Sequence, residues 1–117
     1  MKKIFYLSTC DTCKRILNEL NLPEKFERIE IKTNGIQKED LEQMKKLSGS
    51  YESLFSKRAR LYRERDLKNK NLNEADFKKL ILEHYTFLKR PVIMNGDRIF
   101  IGNSPGTIAA AKEHFTS

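Results

Sequence analysis

A chain of 117 residues has the length of one domain and buries about two-thirds of its unfolded surface around a single core, too little for two. With 38% hydrophobic and 33% charged residues, both signs interspersed, it is neither disordered nor fibrous, and no uncharged apolar stretch approaches the ~20 residues of a membrane span. The net charge of +7, from 23 Lys and Arg against 16 Asp and Glu, admits three readings: a nucleic-acid surface, a site for anionic substrates or acidic partners, or lysine-rich solvated faces.

Lys3 to Thr9 is expected to form a strand. Its apolar run of Ile4, Phe5, Tyr6 and Leu7 is nearly continuous, as in a central parallel strand, and small polar residues stop it. The same run, cut off by Ser8-Thr9 and Asp11, is too short for a secretory signal, so the expected location is cytoplasmic. From about Thr12 to Leu20 the apolar residues Ile16, Leu17 and Leu20 share one helical face, and Asn21-Leu22-Pro23 ends the helix. Phe26 to Ile31 is read as a second strand. Strand, helix and strand in succession make a βαβ unit with parallel strands and a right-handed crossover.

Residues 37 to 89 carry helical signals and are expected to form an insert within a single domain spanning 1–117. Ile36, Leu41, Met44 and Leu47 line a first helix, ended by Ser48-Gly49, and a second runs from Tyr51 to about Arg65. Asn73 with Asp76 marks a capped start, followed by Phe77, Leu80, Ile81, His84 and Tyr85 at helical spacing. Pro91 to Met94 and Arg98 to Gly102 then flank Asn95-Gly96-Asp97, the signature of a tight hairpin. A last helix runs from Ser104 to Phe115, its start marked by Ser104-Pro105. The expected fold is α/β and thioredoxin-like: a four-stranded mixed sheet built from the βαβ unit and the hairpin, with a C-terminal helix and the helical insertion.

Both cysteines fall in Thr9-Cys10-Asp11-Thr12-Cys13-Lys14-Arg15, at the first strand-to-helix junction. A bridge across so small a loop removes little unfolded-state entropy, so the pair reads as chemical rather than structural. A helix N-terminus offers unpaired N–H donors and partial positive charge, which favour thiolate over thiol. Cys10 at that terminus is then the attacking nucleophile. Cys13, one turn later on the same face, is the resolving thiol. Lys14 and Arg15 add positive charge nearby while Asp11 opposes them. The competing readings are inert buried thiols and a zinc site; the latter needs about four ligands, and His84 and His114 lie on separate helices at no recognised spacing.

Three motifs carry a family resemblance: Tyr6-Leu7-Ser8-Thr9-Cys10-Asp11-Thr12-Cys13-Lys14, Lys57-Arg58-Ala59-Arg60-Leu61-Tyr62, and Leu88-Lys89-Arg90-Pro91-Val92-Ile93. In this order and spacing the chain resembles the arsenate reductase ArsC/Spx family nearly from end to end. The resemblance implies a catalytic Cys10 working beside oxyanion-binding arginines, Arg58 and Arg90, with Pro91 as a cis-proline facing the cysteine loop. Guanidinium forks suit such anions because they bind two oxygens at once. The chain departs from the arsenate reductases in its second cysteine and in Gly102-Asn103-Ser104-Pro105-Gly106, where those enzymes carry a third arginine.

Two functions follow. The first is a thiol-disulfide reductase, with no bound cofactor, that acts on arsenate, another oxyanion or an oxidised thiol. Its Cys10–Cys13 disulfide would be recycled by the thioredoxin or glutaredoxin system or by glutathione. The second is an Spx-type redox-responsive regulator that binds RNA polymerase. Direct nucleic-acid reading has little support, since the Lys57–Lys70 basic run contains one aromatic, Tyr62, and no recognised DNA-binding pattern.

Overall fold

The computed structural model describes residues 2–22 and 24–116, with the side chain of Thr116 excluded, so Pro23 of the expected helix stop lies outside the described residues. The chain divides into two compact units, Met1–Asn34 with Arg90–Ser117, and Gly35–Lys89.

The first unit holds the sheet. Strand β1 (Lys2–Tyr6) pairs parallel with β2 (Glu27–Glu30) and antiparallel with β3 (Val92–Asn95), which pairs antiparallel with β4 (Arg98–Ile101), giving the order β2-β1-β3-β4. This is the mixed thioredoxin-like sheet expected. Helix α1 (Asp11–Leu20) crosses from β1 to β2, and α6 (Pro105–Thr116) closes the chain. Alternation along the central strands sends Ile4 and Ile93 to a core shared with Ile16, Leu17 and Leu20 of α1 and Ala111 of α6. Phe5, Val92 and Met94, of opposite alternation, are buried as well, which is why the central strands read as continuous apolar runs. Lys112 of α6 and Glu19 of α1 form an ion pair at 2.5 Å.

Three boundaries differ from the sequence reading. β1 ends at Tyr6, and Ser8-Thr9 form a turn closed by the Cys10 N–H on the Leu7 carbonyl at 3.0 Å. Ile31, expected in the second strand, instead starts the single-turn helix α2 (Ile31–Asn34); it is fully buried, so its hydrophobicity reports core rather than strand. In the hairpin Asn95 pairs with Arg98, so the turn is Gly96-Asp97, and Gly96 takes the positive φ of 64°. Asn21, at φ 49°, caps α1 by donating its N–H to the Leu17 carbonyl at 3.2 Å.

The second unit contains α3 (Lys38–Ser48), α4 (Arg60–Glu64) and α5 (Glu74–Glu83), linked by short 3₁₀ turns. A continuous helix from Tyr51 to Arg65 does not form. Phe55 is extended and bridges Leu88, with Ser56 N–H on the Phe87 carbonyl at 2.7 Å and Lys89 N–H on the Leu54 carbonyl at 2.8 Å. The pairing places the Phe55 ring against Phe87, Phe77 and Tyr62 at 5.3, 4.9 and 5.9 Å, and burying that aromatic cluster outweighs local helical preference. The expected capping box is present: Asn73 accepts from the Asp76 N–H at 2.9 Å, and Asp76 accepts from the Asn73 N–H at 3.0 Å. Asn73→Ala removes one of these bonds and is expected to cost about 1 kcal/mol, read as a lowered urea midpoint at unchanged slope. An unchanged midpoint overturns this role for the cap. Among the described residues no helix is long and apolar enough to cross a membrane.

Candidate active site

Cys10, Cys13, Arg90 and Pro91 all belong to the first unit, where the turn after β1 meets the segment entering β3. Cys10 is the N-cap of α1. Its backbone is extended (φ −96°, ψ 106°), and its sulfur accepts the Cys13 N–H at 3.4 Å while its carbonyl accepts the Lys14 N–H at 3.1 Å. In that position Cys10 replaces the usual Ser or Asp cap with a sulfur acceptor, and the acceptor is strongest as thiolate.

The two thiols are free and differ in environment: Cys10 is half-buried and Cys13 fully buried. Burial pushes the Cys10 thiol up, but the Cys13 N–H, the Cys13 thiol and the Arg90 guanidinium all favour its anion, and the net shift is downward. For Cys13 burial dominates. It pushes the thiol up to about 11, against the Leu7 backbone contact and Arg90, and the neighbouring Cys10 sulfur pushes the same way. Of the two sulfurs, Cys10 is the one whose anion the surroundings favour, and Cys13 the one that burial keeps protonated to higher pH. The cation acting on Cys10 is Arg90, distant in sequence, whereas Lys14 and Arg15 are exposed on α1.

The Arg90–Pro91 peptide is cis, the geometry the resemblance implied. The Pro91 carbonyl accepts the Gly102 N–H at 2.9 Å, tying the entry of β3 to the end of β4. Arg90 Nε is buried and has no hydrogen-bond partner among the described residues. Such an orphaned donor is uncommon in a folded protein and suits a ligand oxygen.

Arg58 lies in the second unit, exposed in the turn between Ser56 and Ala59 that precedes α4. Much of the basic run around it is neutralised locally. Lys57 pairs with Glu52 at 3.0 Å, Arg60 with Glu64 at 3.3 Å, and Arg65 with Glu83 at 2.6 Å, an arrangement of solvated faces worth little in stability. The two histidines have local roles. His84 Nδ1 accepts the Thr86 N–H at 3.1 Å, and His114 Nε2 lies 3.0 Å from Asn95 Nδ2. Among the described residues no group of three or more His, Cys, Asp or Glu could hold a metal ion.

Glu30 belongs to no motif in the sequence, yet it stands next to this loop. Register places it beside Tyr6 at the carboxyl ends of the parallel β1–β2 pair. There its Oε2 accepts the Ser8 N–H at 2.8 Å and the Ser8 hydroxyl at 3.0 Å, and its Oε1 accepts the Thr33 N–H at 2.8 Å. Burial raises its pKa, but these donors and the Lys32 N–H outweigh it and hold the carboxyl below the usual range. The available signal was positional: in a parallel pair the end of the second strand lies beside the loop that leaves the first.

A model of the ArsC family matches residues 5–111. The arsenate reductase of Haemophilus influenzae is 40% identical over 48 residues, which cover 41% of this chain and 41% of that protein; the match thus spans less than half the length of that curated relative. A solution structure of a Staphylococcus aureus protein is 27% identical with a TM-score of 0.73, covering 94% of this chain and 97% of that one. The arsenate reductase of Vibrio cholerae, at 18% identity, has a TM-score of 0.77 and coverages of 94% and 96%, a likeness of fold.

Proposed function

The chain belongs to the ArsC family, and from that membership we propose that it is a thiol-dependent reductase of an arsenate-like oxyanion, with Cys10 as nucleophile and Cys13 as resolving thiol. The observation that carries the reading is the Cys10 sulfur, held as an N-cap against the Cys13 N–H with the Arg90 guanidinium upon it. The orphaned Arg90 Nε supports an anionic substrate, because a bound oxygen would remove the cost of a buried, unpaired donor. The relatives' names support arsenate in particular.

The chemistry balances with two thiols. Cys10 thiolate attacks arsenic(V), an As–O bond breaks, and the protonated oxygen leaves as water, giving a Cys10–arsenic adduct. Cys13 thiolate then attacks the Cys10 sulfur. The S–As electron pair stays on arsenic, which leaves as arsenic(III), and the protein holds a Cys10–Cys13 disulfide. Two electrons from an external thiol, of the thioredoxin or glutaredoxin system or glutathione, restore the dithiol. Adduct formation itself prepares the second step: the Cys10 sulfur is then uncharged, so its contribution to the raised Cys13 pKa disappears.

Arg58 is assigned as the second anion ligand from its motif position, and Pro91 as the residue that shapes the wall facing the cysteine loop. Neither the geometry nor the relatives favour the RNA polymerase-binding regulator. Steady-state reduction of arsenate, with thioredoxin and glutathione recycling assayed separately, tests the proposal. Turnover with one of them is expected. No turnover with either, while a small disulfide is reduced readily, would replace the oxyanion by an oxidised thiol as substrate.

A further inference from the structure

The carboxylate of Glu30 joins two segments: Oε2 holds Ser8, in the turn that leads to Cys10, and Oε1 holds Thr33 of the adjoining helix α2. The Leu7–Cys10 turn is closed by a single backbone bond, Cys10 N–H to the Leu7 carbonyl at 3.0 Å. Its second residue, Ser8, is held twice by Glu30 Oε2, while Oε1 is held by the Thr33 N–H inside the one-turn helix α2, so that the corner between β2 and α2 is tied to the turn. Asn34 Nδ2 adds a bond to the Glu30 carbonyl at 3.0 Å, fixing the same corner from the other side. Every partner of the carboxylate is a donor, and both oxygens are used. An ionised carboxylate, which only accepts, meets that demand; an amide of the same shape turns one acceptor into a donor.

We infer that Glu30 is a positioning residue for Cys10: its carboxylate clamps the Leu7–Cys10 turn so that the cysteine sulfur is presented to the Cys13 N–H and the Arg90 guanidinium. The inference rests on the reading of Cys10 as the reacting sulfur. Its opposite is a purely electrostatic role, and the two differ in sign. A carboxylate acting on Cys10 through space disfavours the thiolate, so its removal would lower the Cys10 midpoint. A clamp that holds the sulfur against a donor and a cation favours the thiolate, so its removal raises the midpoint. The groups acting on Cys10 are Cys13 on α1 and Arg90 at the entry of β3; those acting on Glu30 are Ser8, Lys32 and Thr33, through backbone N–H groups and the Ser8 hydroxyl.

The test is the rate at which iodoacetamide alkylates Cys10, assigned by peptide mass and followed from about pH 5 to about pH 10 in the full chain. Glu30→Gln is expected to raise the midpoint by roughly one unit and to slow alkylation at neutral pH by about tenfold, and Glu30→Asp to recover part of the loss. A merely structural role would lower the melting temperature without moving the midpoint. An unchanged or lowered midpoint in folded Glu30→Gln overturns the inference. If that variant does not fold, Ser8→Ala, which removes the hydroxyl bond alone, is expected to slow alkylation about threefold, and an unchanged rate overturns the inference equally. Arsenate turnover by the wild-type chain is measured alongside. Its absence, with Cys10 still reactive and Glu30-dependent, sinks the arsenate reading and leaves the clamp standing.

Discussion

Cys10→Ser is expected to abolish turnover, lowering it by at least about a thousandfold, while Cys13→Ser leaves the second half of the reaction dependent on an external thiol. The asymmetry follows from the two environments. With its pKa pushed up to about 11, Cys13 stays protonated at neutral pH, whereas Cys10 lies below its ordinary value. A free Cys13 cannot compete for the first attack. After that attack the Cys10 sulfur is uncharged and Cys13 is the adjacent thiol, so Cys13→Ser leaves an adduct that only an external thiol can resolve. Intact mass spectrometry of Cys13→Ser should then show the adduct, or a mixed disulfide with the external thiol, confined to Cys10. Turnover of this variant should also become first order in the external thiol. Equal turnover by the wild type and Cys13→Ser at low external thiol would remove the internal disulfide from the cycle.

The linkage has a definite sign. Cys10 is lowered, so its folded-state thiolate persists to a lower pH than in the unfolded chain, and it contributes stability above the unfolded pKa that is lost as pH falls through the folded one. Cys13 is raised, so it favours the fold below the unfolded thiol pKa and loses that contribution as pH rises toward about 11. The first-step rate should therefore rise with a single ionisation below the midpoint of an ordinary cysteine.

The elements legible in the sequence were those whose signal is local. The apolar run of β1, the α1 face of Ile16, Leu17 and Leu20, the Asn73 cap and the strands of the hairpin all stand where periodicity and turn chemistry put them. What was hidden depends on pairing between distant residues. Phe55 is extended because Leu88 supplies its bridge and Phe77 and Phe87 its ring contacts, none of which a helical window contains. Ile31 reads as the last residue of an alternating strand because a buried position on a one-turn helix has the same hydrophobicity. Glu30 looks like any solvated carboxylate until the β1–β2 register places it beside Tyr6. For the site, Cys10 and Cys13 were visible as a motif and Arg90 only through the family resemblance. Lys14 and Arg15 are the cations nearest in the chain, with Asp11 opposing them, but it is Arg90 that acts on the sulfur.

Arg90 is for that reason the second residue on which a large effect is expected. It does two things at once in the proposed reaction: its charge favours the Cys10 thiolate, and its buried Nε is an unused donor for a substrate oxygen. Arg90→Ala removes both and is expected to lower kcat/KM for arsenate by about a hundredfold or more. Arg90→Lys keeps a positive charge but loses the planar fork, because an ammonium is a point charge that cannot present two fixed N–H groups to one anion. The pair separates the roles. Loss of a cation that favours an anion raises the pKa, so Arg90→Ala should move the Cys10 alkylation midpoint upward, while Arg90→Lys should hold it nearer the wild type. Both variants should raise KM for arsenate, since neither restores the fork. An Arg90→Ala protein with the wild-type midpoint and a raised KM would reduce Arg90 to a substrate ligand. Wild-type values of both would take it out of the site altogether.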